Sequence, residues 1–545
     1  MKNRSIMPKI LFVSMLMTGY FLPVFIRAET NNNLDLSQGT FYIRSQTSSG
    51  IKLSTEIGIS SRLNGSGAFY FEQNEFYGGF DTWLDAHIKG DIGDAFSYSF
   101  EIGVGLLSAR RPYLGEYQYK VDKNETVTIY GNPLSYFPYS YHGRWDGFIF
   151  PLDEMNAGGP SGWPDTSSVG FSLLCEIFGS AFDDTLFWSM GRKKHEWAAM
   201  DQGSSLVLNE AAQPFFGFEL SFQPFSWFGF SSLTGILEYF NANGIQTSSR
   251  TFQNAFSLSL AYFDFANFIH IDFGTSSVWP KRFELGYLFP LIDNMLYQNN
   301  IGDFDNIGFF GNLKLKKSGL GFIWGSFFID EVNFEENFFI LDREMYAWQC
   351  GLEVLLPGLS FASLDLSYTK IEPYCYTHQK TSVPWYASPM EEAYTNHGYG
   401  LGYYLPPNSD EIKLRFQTIP TSGTVVKAQF QMIRHGADYG KRAVDGSSYL
   451  SELAEFNRSS DLRLRKFFLH DGAYQWSHII KGGITHSLRT LPIELSLEAG
   501  MVFSYWTDID GNPNDGFSYP YHIIDTESYP KRTGVIASLG IRIYK

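Results

Sequence analysis

The segment Ile493-Glu494-Leu495-Ser496-Leu497-Glu498-Ala499-Gly500-Met501-Val502-Phe503-Ser504-Tyr505 alternates with a period of two. Its odd positions are apolar, and its even positions carry Glu494, Ser496, Glu498, Gly500 and Ser504. Successive side chains of a strand point to opposite faces, so the pattern predicts a strand with one apolar and one hydrated face. The C-terminal segment repeats it, with Val535, Ala537, Leu539, Ile541 and Ile543 against Ser538, Gly540, Arg542 and Tyr544. A soluble sandwich would bury its apolar faces against a second sheet. Here those faces are large, tipped with aromatics and repeated along the chain, as contact with lipid requires. The expected fold is all-β: a transmembrane barrel of the bacterial outer membrane, with outer-membrane lipid and the barrel-assembly machinery as partners.

Strands are expected near 51–61, 80–90, 95–107, 168–179, 185–195, 216–223, 228–239, 255–263, 268–275, 306–316, 319–329, 347–355, 360–370, 411–418, 424–433, 475–488, 493–505 and 534–544. They make eighteen antiparallel strands whose connections alternate long and short; sixteen and twenty are the alternatives. Short connections such as Asp91–Asp94, Pro224–Trp227, Leu356–Leu359 and Arg489–Pro492 read as periplasmic turns. The long ones, beginning with 62–79 and 108–167, read as extracellular loops. Arg282 to Phe289 resembles a further strand, but parity assigns it to a long loop.

Composition agrees with this class. The 545 residues are 17% aromatic and 18% charged, with Gly 52, Phe 50 and only Cys 3. So few cysteines exclude a disulfide scaffold or zinc ribbons, and a net charge of −16 argues against nucleic acid. Lys2, Arg4 and Lys9 precede an apolar run from Ile10 to Ile26 that ends at Ala28. This reads as a secretory signal over 1–28, an uncleaved anchor being the alternative. A periplasmic segment would follow over 29–50, and the barrel over 51–545.

Motifs that suggest chemistry yield to plainer readings. Asp508–Asp515 clusters oxygen ligands but lacks the glycine and terminal Glu of a calcium loop. His470-Asp471-Gly472 has no companion pair that would complete a metal site. Gly358-Leu359-Ser360-Phe361-Ala362 fails the nucleophile-elbow pattern at its last position. Cys175, Cys350 and Cys375 are unclustered. No catalytic residue, metal site or cofactor is expected, and the protein is not expected to be an enzyme.

One region differs in kind. Gly191-Arg192-Lys193-Lys194-His195-Glu196-Trp197 ends a strand and leads into Ser204-Ser205-Leu206-Val207-Leu208-Asn209-Glu210-Ala211-Ala212-Gln213-Pro214-Phe215. Later come Tyr374-Cys375-Tyr376-Thr377-His378, Tyr394-Thr395-Asn396-His397-Gly398-Tyr399-Gly400-Leu401-Gly402 and Pro407-Asn408-Ser409-Asp410-Glu411. In order and content these stretches, spanning residues 165 to 545, resemble the Wzi family of capsule-assembly outer-membrane proteins. The resemblance implies an eighteen-stranded barrel that binds surface polysaccharide as a lectin. It also implies a helical plug ahead of the barrel, which the polar Glu29–Gly50 segment does not supply.

Glycan binding needs aromatic faces for sugar rings and polar groups for hydroxyls. Lys193, His195 and Trp197 share one face at an outward strand end, and Trp145, Trp163 and Trp385-Tyr386 fall in long loops. An aromatic girdle is the alternative reading for any of these tryptophans. Facing the lumen, Lys413, Arg415, Lys427 and Gln429 would form a basic wall able to hold an anionic polymer, or simply pair with lumen carboxylates. Glu494, Glu498 and Arg542 are expected as a lumen charge cluster between the last two strands. A porin passing small solutes is the competing function, since eighteen strands enclose a wide bore.

Overall fold

The computed structural model describes residues 41–46, the barrel strands and much of the connections that pack on them. Residues 1–40, most of 110–166, and 238–253, 332–344, 379–391, 437–473 and 508–531 lie outside the described residues, and with them the signal, Trp145, Trp163, Trp385-Tyr386, His470–Gly472 and Asp508–Asp515.

The barrel strands are β1 (Lys52–Tyr70), β2 (Glu75–Ile92), β3 (Phe96–Ala109), β4 (Ser167–Ala181), β5 (Leu186–Lys193) and β6 (Phe215–Phe225). They continue as β7 (Phe228–Ile236), β8 (Ala255–Phe265), β9 (Ile269–Trp279), β10 (Asn306–Lys317), β11 (Gly321–Glu331) and β12 (Met345–Leu355). The last six are β13 (Ser363–Ile371), β14 (Ser409–Thr421), β15 (Thr424–Gly436), β16 (Tyr474–Ser487), β17 (Ile493–Thr507) and β18 (Arg532–Tyr544). Each pairs antiparallel with the next, and β18 closes on β1 through a register running from Ser60↔Tyr544 to Tyr70↔Gly534. The eighteen strands and their order match the sequence expectation.

Two connections differ from it. Residues 62–79 were expected as a long loop, but β1 runs on to Tyr70 and β2 begins at Glu75, paired with one another from Tyr70↔Glu75 down. The Gly- and Ser-rich stretch reads as a loop because its outward positions, Gly65 and Gly67, are small, yet its inward positions find partners. Arg62 Nη2 lies 3.2 Å from Asp85 Oδ2, and Asn64 donates to Asp81 at 3.4 Å. Ahead of β1, within the segment expected to be only a periplasmic lead, Phe41–Gln46 pairs antiparallel with Lys52–Ile57. The ambiguous Arg282–Phe289 stretch contains no described strand; a 3-10 turn at Gly286–Leu288 and a short helix, α1 (Asn294–Ile301), occupy this connection. It lies against the outside of the wall, where the outward side chains of Thr234 and Ser257 both donate to the Tyr287 carbonyl oxygen at 2.8 and 2.9 Å. There the chain takes the place of lipid, which explains why β7–β9 tolerate hydroxyls on their outer face.

The two faces of the alternation have opposite fates. Outward Leu497, Met501 and Leu539 are 53%, 56% and 51% exposed, whereas inward Val502 and Ile536 are 1% and 3%. An apolar outer band over closed, fully paired strands is the form in which β-structure crosses a bilayer. Leu497→Arg is expected to cost about 2–4 kcal/mol near the bilayer midplane, and Glu498→Gln under about 1 kcal/mol. Urea unfolding in liposomes reads the difference; equal costs would put the faces the wrong way round.

Candidate functional site

The inward apolar residues near the extracellular end form a ring: Ala68, Leu233, Phe256, Val278, Phe328, Ala347, Ile371, Ile433, Ile479, Val502 and Ile536, none more than 3% exposed. They belong to one hydrophobic cluster with the described parts of two connections that turn back into the lumen, one carrying Leu206, Val207, Leu208 and Ala212 and the other Tyr374, Tyr376, Tyr394, Leu401 and Leu405. Lumen-facing side chains of a water-filled bore would be wet; these are dry because the two segments fill the space.

The filling is specific. The Tyr376 hydroxyl donates to the Leu206 carbonyl at 2.7 Å, the Tyr394 hydroxyl to the Val207 carbonyl at 2.9 Å, and the Asn209 amide to the Leu401 carbonyl at 2.8 Å. The Tyr394 ring meets Phe256, Phe328 and Tyr376 at 5.6, 5.6 and 5.7 Å. Gly402 is required here, since a Cβ would stand 2.6 Å from the Tyr376 ring and 2.7 Å from the Leu206 oxygen. Tyr374 and Tyr376 hold φ of 64° and 70°, uncommon for bulky residues. Asp330 accepts the Tyr376 amide at 2.6 Å and keeps that turn in place. Burial pushes the Tyr394 phenol well above its ordinary value of 10.

The tip of the first segment reaches down the lumen. Lys314 Nζ donates to the Met200 carbonyl at 2.6 Å, and Arg415 pairs with Asp201. Asp201 also lies beside Glu353 and Asp365, an acidic group that already has Arg415 as its counter-charge.

Lys193, His195 and Trp197 come together around one carboxylate at the base of this segment. All three converge on Glu219 of β6. Lys193 Nζ is 2.9 Å from Oε2 and 2.5 Å from Glu176 Oε1, His195 Nδ1 is 2.7 Å from Glu219 Oε1, and Trp197 Nε1 donates to the same oxygen at 3.3 Å. Ser189 donates to Oε2 at 3.0 Å. Four contacts account for about all the accepting positions of a carboxylate, and His195 is buried. Glu219→Gln is expected to cost about 2–3 kcal/mol by leaving Lys193 and His195 underpaired, read as a fall in the urea midpoint.

The sequence-predicted lumen residues face inward, with changed partners. Lys413 lies 3.1 Å from Glu411 Oε2 and also donates to the Tyr403 hydroxyl at 3.0 Å. With Arg415 on Asp201, most of the expected basic wall is neutralised; Lys427 is exposed. Glu494 stands directly opposite Arg542 across β17–β18 and accepts from Ser487 at 3.3 Å, while Glu498 lies 3.0 Å from Lys481 of β16. Sequence reasoning missed Glu219 and the inward path of the two segments. The signal available was the apolar Leu206-Val207-Leu208 and the repeated tyrosines in connections that solvent-exposed loops would not need to carry.

No protein-family model matches the chain, and no curated protein does. Among solved structures it is similar to Wzi of Escherichia coli, titled an outer-membrane protein involved in group 1 capsule assembly and a carbohydrate-binding β-barrel. The TM-score is 0.47 at 11% identity, over 89% of this chain and 84% of that one. It is also similar to OpdL of Pseudomonas aeruginosa (TM-score 0.42, 8% identity, 90% and 98% covered) and OccAB4 of Acinetobacter baumannii (0.44, 7%, 90% and 98%). The closed wall and its apolar outer band make the chain an eighteen-stranded β-barrel of the bacterial outer membrane.

Proposed function

We propose that the protein is a sealed outer-membrane barrel that holds surface polysaccharide on its extracellular side, rather than a channel for small solutes. The observation that carries this reading is the dry apolar ring inside the barrel, packed against Leu206–Leu208, Tyr374–Tyr376, Tyr394 and Leu401 of the two inward connections. A diffusion porin keeps its lumen polar and wet. The stretches that resemble the Wzi family are the ones that build this filling, so in this reading they serve the seal and the rim rather than the polymer. Glycan contacts are assigned to the extracellular loops, Trp145 and Trp163 among them, with Lys193, His195 and Trp197 fixing the rim beneath.

Two measurements on one preparation test it. Purified protein in planar bilayers is expected to show little conductance, and cells carrying Trp145→Ala with Trp163→Ala are expected to lose retained surface polysaccharide while heat-modifiable migration stays normal. Large conductance together with unchanged retention would move the assignment to a porin.

A further inference from the structure

Strands β7, β8 and β9 hold 9, 11 and 11 residues, about what one tilted crossing of a bilayer needs, whereas β1 and β2 hold 19 and 18. The wall is therefore low on this side, and Ile236, Ala255 and Trp279 end it at the outer interface. Its periplasmic edge carries stacked outward rings, with Trp227 lying 5.6, 6.3 and 6.1 Å from Phe225, Phe263 and Phe265. From Phe263 to Ser257, β8 climbs about 15 Å along the membrane normal at the usual rise and tilt of barrel strands. The apolar band of such a barrel is about 25 Å tall, so Ser257 stands about 10 Å below the outer interface. The Tyr287 carbonyl that accepts its hydroxyl shares that depth.

Irregular backbone survives among acyl chains only where its polar groups are satisfied without water. The described part of this connection meets that condition. Tyr287 packs on Trp279 at 4.5 Å and on Tyr297 at 4.9 Å. The Tyr287 hydroxyl donates to Asp305 Oδ2 at 2.5 Å and the Tyr297 hydroxyl to Glu284 Oε2 at 2.7 Å, so tyrosines stand where water would. Gln298 donates to the Asp305 carbonyl at 3.0 Å, and Asn300 to the Leu296 carbonyl at 2.8 Å. Helix α1 has no charged residue. Its Leu296 is 64% exposed, and the directly opposed outward pair Phe216 and Ile236 at the same end of the wall is exposed as well.

We propose that the connection between β9 and β10 is an interaction surface for lipid: Gly286–Leu288, held by Thr234 and Ser257, lies at the depth of the outer-leaflet acyl chains, and Leu296 of α1 inserts among them as an anchor. Hydrocarbon is the occupant because this surface continues the lipid-facing band of β6 and β7, and its described carboxylates, Glu284 and Asp305, are turned to tyrosine hydroxyls. A connection that would otherwise stand in water thus widens the membrane-embedded side of the barrel. This stands apart from the polysaccharide reading, which concerns the lumen and the extracellular loops.

The test places a bimane fluorophore on Leu296→Cys in the full barrel, with Cys175, Cys350 and Cys375 changed to Ala, folding checked by heat-modifiable migration and the protein reconstituted in liposomes. Lipids brominated in the middle of the acyl chains, and iodide on both sides of the membrane, are the two quenchers. The same label on Met501→Cys, on the outer wall, and on Ser318→Cys, in an exposed periplasmic turn, gives the lipid and aqueous references. Residue 296 is expected to match residue 501, with bromolipid quenching at least about threefold above that at residue 318. Thr234→Val with Ser257→Ala strands the Tyr287 carbonyl and should raise iodide quenching at residue 296 at least about twofold as the connection lifts. Unchanged quenching in that variant would overturn the hold assigned to the two hydroxyls. Iodide quenching at residue 296 equal to that at residue 318 would overturn the proposal by placing the connection in water. Shielding from both quenchers would overturn it too, by assigning the surface to a second copy of the chain or to another part of this one.

Discussion

Replacing residues 197–212 and 374–405 together by short Gly-Ser linkers is expected to turn a barrel of negligible conductance into an open channel, with a rise of at least about tenfold in planar bilayers. Eighteen strands enclose a bore too wide for their own side chains to fill, so the main chain of these two segments has to supply the seal. Replacing 197–212 alone is expected to open it partly, since Tyr376 and Tyr394 lose the carbonyls of Leu206 and Val207 that position them. The strands pair with one another rather than with the segments, so heat-modifiable migration should persist. A folded double variant that stays closed would show that other residues seal the lumen.

The second large effect lies at Tyr394. Tyr394→Ala removes a fully buried ring that touches Phe256, Phe328 and Tyr376, and is expected to cost about 3–5 kcal/mol. Tyr394→Phe keeps the ring and strands the Val207 carbonyl, for about 1–2 kcal/mol. The phenol adds a pH dependence. Burial raises its folded value well above 10, so above pH 10 the unfolded chain loses this proton while the folded chain keeps it. The unfolded state then binds fewer protons, and stability falls as pH rises. Wild type should therefore lose stability above pH 10 more steeply than Tyr394→Phe, measured by urea midpoints between pH 8 and 11. Parallel slopes would mean that Tyr394 ionises as freely when folded as when unfolded.

The strand positions were legible because a membrane wall imposes one rule on every crossing: outward residues must be apolar. Ile493–Tyr505 and Val535–Ile543 obey it almost without exception, and turn residues punctuate one end of the barrel. Residues 62–70 escaped because glycine and serine satisfy a strand without announcing one. Once β1 and β2 extend together, Arg62 and Asn64 meet Asp85 and Asp81.

The candidate site was legible only as a set of residues. Lys193, His195 and Trp197 share a face by simple alternation, which is a local property. Their common partner Glu219 is one strand away in space and more than twenty residues away in sequence, and pairing β5 with β6 brings them together. Whether a tryptophan and a lysine side by side hold a sugar or a carboxylate depends on what stands opposite, which alternation cannot report.

By itself, then, the sequence determined the wall: its period, the face each strand residue shows and an alternation of long and short connections centred on eighteen crossings. These follow from neighbours in the chain and from the solvent on each side. Only the tertiary structure decided what the wall encloses. The connections after β5 and β13 look like surface loops, and their described parts around Leu206–Leu208, Tyr374–Tyr376 and Tyr394–Leu401 turn inward because their apolar side chains and tyrosine hydroxyls find each other there. Burial of apolar surface and pairing of buried carbonyls are satisfied only when both segments occupy the lumen together.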